Sequence, residues 1–151
     1  MKSGSDSGFT LIEVVVALAI VGAAVLLVAP LTRTSLGPQL LRSTASEIAA
    51  LARSTRAAAL RSGVERVMIV DLASRTVWAD GVSGPRAIPA HLELDVAVAA
   101  DGISGSMQRH IRFLPTGGAS GGSIVLRDGV RTTTIEIDWL TGGARVATLS
   151  R

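Results

Sequence analysis

The sequence predicts an α+β fold, in which a long N-terminal hydrophobic helix continues into an amphipathic helix packed on a C-terminal antiparallel β-sandwich. Three observations predict it: an apolar run near the N-terminus, a segment rich in Ala, Leu and Arg, and short alternating runs separated by Asp-Gly pairs. The 151 residues have room for an anchor and one domain. We divide them into a leader at 1–8, an apolar helix at 9–30, a linker and amphipathic helix at 31–63, and a β-rich domain at 64–151.

The composition limits the chemistry that the chain can carry out. It contains no Cys, which excludes disulfides, a thiolate nucleophile and Cys-ligated metals. The formal net charge is +3, and the Arg residues are scattered from Arg33 to Arg151. A nucleic-acid binder more often concentrates its basic residues in one stripe. The composition therefore does not favour a large nucleic-acid footprint.

Glu13 is the only charged residue in the apolar run GFTLIEVVVALAIVGAAVLLVAP at 8–30. As a helix, the segment 9–29 spans roughly 30 Å, the hydrocarbon thickness of a bilayer. An acidic side chain at the centre of a membrane helix costs on the order of 3 kcal/mol, and somewhat less near an interface. A residue this costly usually has a partner, so we interpret Glu13 as an assembly residue. A secretory signal peptide and a plain membrane anchor are the alternatives.

The hexapeptide Gly-Phe-Thr-Leu-Ile-Glu at 8–13 resembles the processing site of type IV pilins and type II secretion pseudopilins. The resemblance implies that a prepilin peptidase cleaves after Gly8 and removes the leader. Phe9 then becomes the N-methylated terminus. We expect Glu13 of an incoming subunit to pair with the Phe9 amine of the previous one, because an unpaired buried charge costs several kcal/mol. The resemblance also implies a single-pass protein of the bacterial inner membrane with its C-terminal domain in the periplasm.

The segment from Gln39 to Ser62 favours a helix that ends at Gly63. The preceding residues, Leu36-Gly37-Pro38, are predicted to interrupt regular structure just before this helix. One stripe of this helix is apolar and the Arg residues spread over the rest, which is typical of a helix that lies against a sheet. The predicted stripe consists of Leu41, Ala45, Ile48, Ala52 and Ala59.

Seven short runs after Gly63 are strand candidates, and turn signals at 80–81, 101–102 and 128–129 separate some of them. Their number and spacing predict two packed antiparallel sheets. Trp78 and Trp139 are expected to pack in the core or on a sheet. The predicted strands are 66–72, 75–79, 92–99, 110–114, 123–127, 132–140 and 144–149.

One enzyme-like motif occurs, G-x-S-x-G at 118–122, with Ser120 in the nucleophile position. A nucleophile elbow needs a strand before it and a helix after it, whereas the following residues read as a strand. We therefore predict a glycine-rich hairpin loop. His91 and His110 have no metal-ligand spacing, and no carboxylate cluster resembles a calcium loop. The sequence predicts no catalytic residue, no cofactor and no metal.

The segments RFLPTGGASGGSIVL at 112–126 and IDWLTG at 137–142 are similar to the GspH/FimT group of minor pilins. This resemblance implies a minor pseudopilin of a type II secretion system, close to but below the filament tip. The implied partners are prepilin peptidase, other major and minor pseudopilins, inner-membrane lipid before assembly, and the secretion machinery. The alternative is a FimT-like minor pilin that binds DNA for uptake through C-terminal Arg residues. Here those would be Arg145 and Arg151, a small phosphate footprint that makes nucleic acid the less favoured partner.

Overall fold

The computed structural model describes residues 11–28, 36–99, 102–104, 107–129 and 131–150. The chain divides into two compact units, Met1–Leu36 and Gly37–Arg151. The described ranges contain two helices and nine strands, so the α+β class is confirmed. The predicted continuation of the first helix into the second falls on residues 29–35, outside the described residues.

The first unit contains helix α1, Leu11–Val28, which lies inside the predicted apolar segment. Its side chains from Leu11 to Ala23 are all exposed, and Glu13 is the charged residue among them. Apolar residues occupy every face of α1, so it has no polar face to turn towards water. Within the described ranges, neither helix has the combination of length and apolar character that crossing a membrane requires.

The second unit contains helix α2, Leu36–Ser62, apart from the first residue of the helix. It starts three residues before the predicted start, because Gly37 and Pro38 belong to its first turn and do not interrupt it. Proline is tolerated there, since the first N–H groups of a helix have no intrahelical partner. Gly63 ends the helix as predicted, with a φ of 65° and its N–H donated to Ala59 O at 3.0 Å. All five residues of the predicted stripe are buried.

Two antiparallel sheets follow, as predicted. The five-stranded sheet has the order β3-β2-β1-β6-β5, and the four-stranded sheet has the order β4-β7-β8-β9. The strands are β1 Arg66–Asp71, β2 Thr76–Ala79, β3 Ser83–Ala87, β4 Glu93–Val98, β5 Ile103–Ser104, β6 Gln108–Phe113, β7 Gly122–Asp128, β8 Arg131–Ile137 and β9 Ala144–Ser150.

The core contains the apolar stripe of α2 and the alternate side chains of both sheets. It is aliphatic apart from Phe113, in keeping with the low aromatic content. Its largest fully buried apolar side chains are Phe113, Leu41, Met68, Leu92, Ile111, Ile124, Leu126, Ile135 and Val70.

Two sequence expectations about the strands are wrong. Strands β3 and β5 were not predicted; β3 contains Gly84 and Pro85, which are disfavoured in strands, and β5 has only two residues. The predicted strand 132–140 ends at Ile137, and Trp139 is 68% exposed instead of packed. The glycine-rich segment folds back on the end of β6 as the predicted hairpin loop, with an antiparallel bridge between Phe113 and Ala119, and the chain then crosses to β7 in the other sheet.

Candidate functional site

Glu13, the predicted assembly residue, lies in the first turn of α1 with its side chain exposed. A carboxylate there is favourable for the helix, because the first-turn N–H groups carry partial positive charge. That effect does not require a second subunit. The other two predicted site residues, Gly8 and Phe9, lie outside the described residues.

In the second unit, the two segments that carry the minor-pilin resemblance fold against each other and against α2. The Arg56 Nε of α2 donates to Gly117 O at 3.0 Å. The N–H of Ala119 donates to Trp139 O at 2.9 Å. The crossing segment 114–121 is therefore held on one side by a helix and on the other by the β8–β9 turn. We call this arrangement the loop junction.

Ser120, the serine of the G-x-S-x-G motif, has a structural role in the loop junction. Its N–H donates to Arg112 O at 2.9 Å, and its Oγ accepts the N–H of Arg112 at 3.1 Å. Strand β7 starts two residues later, so no helix follows to expose the hydroxyl above a sheet. Ser120 thus extends the end of β6 and lacks the setting of a nucleophile elbow.

The β8–β9 turn is organised by Asp138. Its Oδ1 accepts the Thr141 N–H at 2.7 Å and the Thr141 hydroxyl at 2.8 Å. These bonds, the backbone one first, hold the pKa of Asp138 below its ordinary value, and Arg145 contributes in the same direction. The turn also explains why β8 stops at Ile137, since Asp138 directs the chain away from the strand path.

Two glycines allow the loop junction to close. Gly117 and Gly142 have φ values of 98° and 62°, which L side chains rarely adopt. A Cβ added at Gly142 would lie 2.5 Å from Gly117 O and 3.0 Å from Arg56 Nε. The close approach of the two backbone segments thus requires glycine at these positions. This packing explains the glycines without a catalytic role.

Beside the loop junction, an open groove of about 590 Å³ runs over the ends of β4, β7 and β8. Glycines 121 and 122 are among its lining residues, and Glu136 of β8 lines it together with Asp138 and Trp139 of the turn that follows. In the part of the chain that the structure describes, no group of three or more His, Asp or Glu side chains is arranged to hold a metal ion.

Arg75 ties the two sheets together, a role that sequence reasoning missed. Its Nη2 donates to Pro89 O at 3.0 Å and to Leu92 O, just before β4. Its own carbonyl accepts the Ile88 N–H at 2.8 Å. Arg75 has a φ of 53°, which is unusual for a residue with a side chain. Neither Arg56 nor Arg75 was predicted, because both bind backbone carbonyls, which leave no signature in the sequence.

The fold and the N-terminal segment together define the class of the protein. Residues 4–29 match the prokaryotic N-terminal methylation motif, and the described part of the chain supplies helices followed by two antiparallel sheets. The protein is a pilin-like subunit. Residues 44–142, well over half of the chain, match type II transport protein GspH, and the chain belongs to that family. It is thus a minor pseudopilin, as the sequence indicated. No curated protein and no solved structure gives a significant match.

Proposed function

We propose that this protein is processed by prepilin peptidase after Gly8, N-methylated at Phe9 and incorporated near the tip of a periplasmic type II secretion pseudopilus. The observation that supports the proposal is the presence of both family matches in one chain, the methylation motif at 4–29 and GspH at 44–142. In this proposal the protein is anchored in the bacterial inner membrane before assembly. The predicted anchor, 9–30, extends beyond the described helix at both ends.

The exposed apolar surface of α1 supports an assembly role. The described side chains on this helix, from Leu11 to Ala23, have nothing covering them within their own unit. Such a helix is stable when lipid or other helices surround it. Transfer from lipid to a bundle of similar helices keeps the apolar surface away from water, while Glu13 supplies a charge that the Phe9 amine of a partner subunit would neutralise.

Within this proposal the protein carries out no chemistry itself. Its partners are prepilin peptidase, the other pseudopilins and the secretion machinery. Ser120 supports this reading, because its hydroxyl accepts a backbone bond at the end of β6. A Ser120→Ala variant is expected to retain secretion.

The DNA-binding alternative rests on Arg145, since Arg151 lies outside the described residues. Arg145 is exposed on β9, but it stands opposite Glu136 in the β8–β9 register. A carboxylate beside the arginine opposes phosphate binding. Titration of the full chain with duplex DNA over a salt series tests this alternative. Tight, salt-sensitive binding that Arg145→Ala removes would favour uptake over secretion.

Mass spectrometry of the mature chain from secreting cells tests the proposed processing. We expect a terminus at Phe9 carrying one added methyl group, with Gly8→Leu as a variant that stays unprocessed. An intact Met1, or a terminus beyond Pro30, contradicts the proposal. Deletion of the protein should block export of folded periplasmic substrates, and the wild-type chain should restore it.

A further inference from the structure

The four-stranded sheet has an unprotected edge at β9. An edge strand presents N–H and C=O groups that can pair with another chain, and natural proteins usually protect such edges. Within the described ranges the two sheets have four edge strands, β3 and β5 in one and β4 and β9 in the other. The four differ in their protection.

Three of these edges carry the usual protective features. Strand β3 contains Pro85 and Arg86, and its pairing with β2 has a register shift. Strand β5 has only two residues. Strand β4 projects the exposed carboxylates of Glu93 and Asp95. Proline, charge, irregular pairing and short length all discourage the addition of another strand.

Strand β9 lacks these protective features apart from one charged residue, Arg145, near its start. It pairs with β8 in unbroken register along its whole length, from Ile137↔Ala144 to Arg131↔Ser150. It contains no proline, and Arg145 is its only charged residue. Leu149 is 70% exposed and Val146 is 43% exposed. An edge that is regular, apolar and seven residues long favours strand pairing.

The exposure of Val146 is informative because its side chain is on the core face of the sheet. Val146 is paired with Ile135, which is fully buried, and paired residues project from the same face. The next core-facing residue, Thr148, has its hydroxyl 3.2 Å from that of Thr133. The hydroxyl of Thr148 therefore has a hydrogen-bond partner, whereas the side chain of Val146 remains partly uncovered. One more strand beside β9 would cover it.

We infer that β9 receives an extended segment of a neighbouring pilin-like subunit as a fifth strand; the inference rests on the proposed function. Pairing of β9 with β9 of a second copy would be an isologous contact, which closes a dimer and cannot be repeated along a filament. A filament needs a heterologous contact, so the added segment comes from a different surface. Because Arg145 already faces Glu136, the segment needs no carboxylate there, and a basic residue at that place is disfavoured.

Photo-crosslinking of the full chain in secreting cells tests the inference. A photoreactive residue replaces Ala147 or Leu149 in turn, and Val64, which is 57% exposed just after α2, serves as the matched control position. We expect Ala147 and Leu149 to link to another chain carrying the methylation motif, at sites two residues apart. This spacing is what strand pairing produces, and a non-specific contact does not.

Lysine variants provide the second measurement. Val146→Lys and Leu149→Lys should each lower the yield of the crosslink from Ala147 roughly tenfold, because strand addition would bury an unpaired charge. Leu149 is exposed, so its variant keeps the test valid if Val146→Lys fails to fold. Val64→Lys should leave the yield unchanged.

Several outcomes would overturn the inference. These are a link between Ala147 residues of two copies, links without the two-residue spacing, no link from Ala147, or a yield that neither lysine variant lowers. The mature terminus is measured in the same samples. A chain correctly processed at Phe9 that gives no link overturns the inference alone, whereas an unprocessed chain contradicts the proposed function as well.

Discussion

Arg56 of α2 donates its Nε–H to the carbonyl of Gly117, 61 residues further along the chain, at 3.0 Å. This bond joins the helix to the segment that crosses between the sheets. It lies where the two minor-pilin motifs meet, so those motifs mark a structural junction. Their glycines allow close packing, and the turn at Asp138 completes it.

Replacing Arg56 should loosen the loop junction. We expect Arg56→Ala to lower the free energy of unfolding by about 1–3 kcal/mol, because the Gly117 carbonyl loses a charged donor. Denaturant unfolding of the purified chain measures the loss. Arg53→Ala, one turn earlier on the exposed side of α2, is the matched control and should change stability by less than about 0.5 kcal/mol. Equal losses in both variants would show that the bond to Gly117 has no special role.

Gly142 should not tolerate a side chain. Gly142→Ala requires a Cβ at a φ of 62°, in contact with the Gly117 carbonyl, so we expect a loss of about 1–3 kcal/mol. Gly84→Ala is the control, because its added Cβ meets nothing within 4 Å and its φ is not in the left-handed range. Thermal unfolding of both variants tests the difference. A Gly142→Ala variant as stable as Gly84→Ala would contradict the tight packing described here.

Two variants of Arg75 can separate the stability that its side-chain hydrogen bonds contribute from the cost of its backbone conformation. Arg75→Ala loses the donors to Pro89 and Leu92 and keeps a residue with a Cβ at positive φ, so a loss of about 1–3 kcal/mol is expected. Arg75→Gly loses the same bonds but relieves the strain, and should be more stable than the alanine variant by about 1 kcal/mol. Equilibrium unfolding ranks the three proteins. The ranking fails if alanine is equal to or better than glycine.

Two aspartates should make stability depend on pH below the neutral range. Backbone N–H donors, that of Thr141 for Asp138 and that of Ser74 for Asp71, are the largest cause that lowers each pKa. A lowered folded pKa stabilises the fold above the unfolded pKa of about 3.9, and this stability is lost as pH falls through the folded pKa.

Melting curves between about pH 5 and about pH 2 test this sign. The wild-type melting temperature should fall with acidification more steeply than that of the double variant Asp71→Asn, Asp138→Asn. Asp80→Asn, in the exposed β2–β3 turn, should behave like wild type. A double variant with the wild-type slope would show that the two carboxylates do not contribute.

Glu13 should be needed for assembly and not for membrane insertion. Glu13→Val removes a costly charge from the apolar helix, so the subunit should remain in the membrane fraction but fail to assemble or assemble out of register. Leaving the partner charge unpaired costs about 3–5 kcal/mol. Glu47→Val, which removes an exposed carboxylate from α2, is the matched control. Sheared filaments probed for each variant give the result, and normal incorporation of Glu13→Val would refute the pairing hypothesis.

Local patterns predicted much of the fold. The α2 stripe at Leu41 and Ile48, the strand that forms β4 and the cap at Gly63 were all predicted, because each depends on residues a few positions apart. The exposure of Trp139 was not predicted. Its alternation with Ile135 and Ile137 suggested that the strand continues to Trp139. In the structure the strand ends earlier, because the hydrogen bonds between Asp138 and Thr141 form a turn.

The kind of protein could be recognised from local sequence patterns alone: the hexapeptide at 8–13, the apolar run and the alternating C-terminal half. The sheet that each strand joins, the carbonyls that Arg56 and Arg75 bind, and the open edge at β9 became known from the folded structure. The physical reason is that these features depend on backbone carbonyls and N–H groups brought together from distant parts of the chain. Every residue has such groups, so residue identity does not reveal which of them will meet.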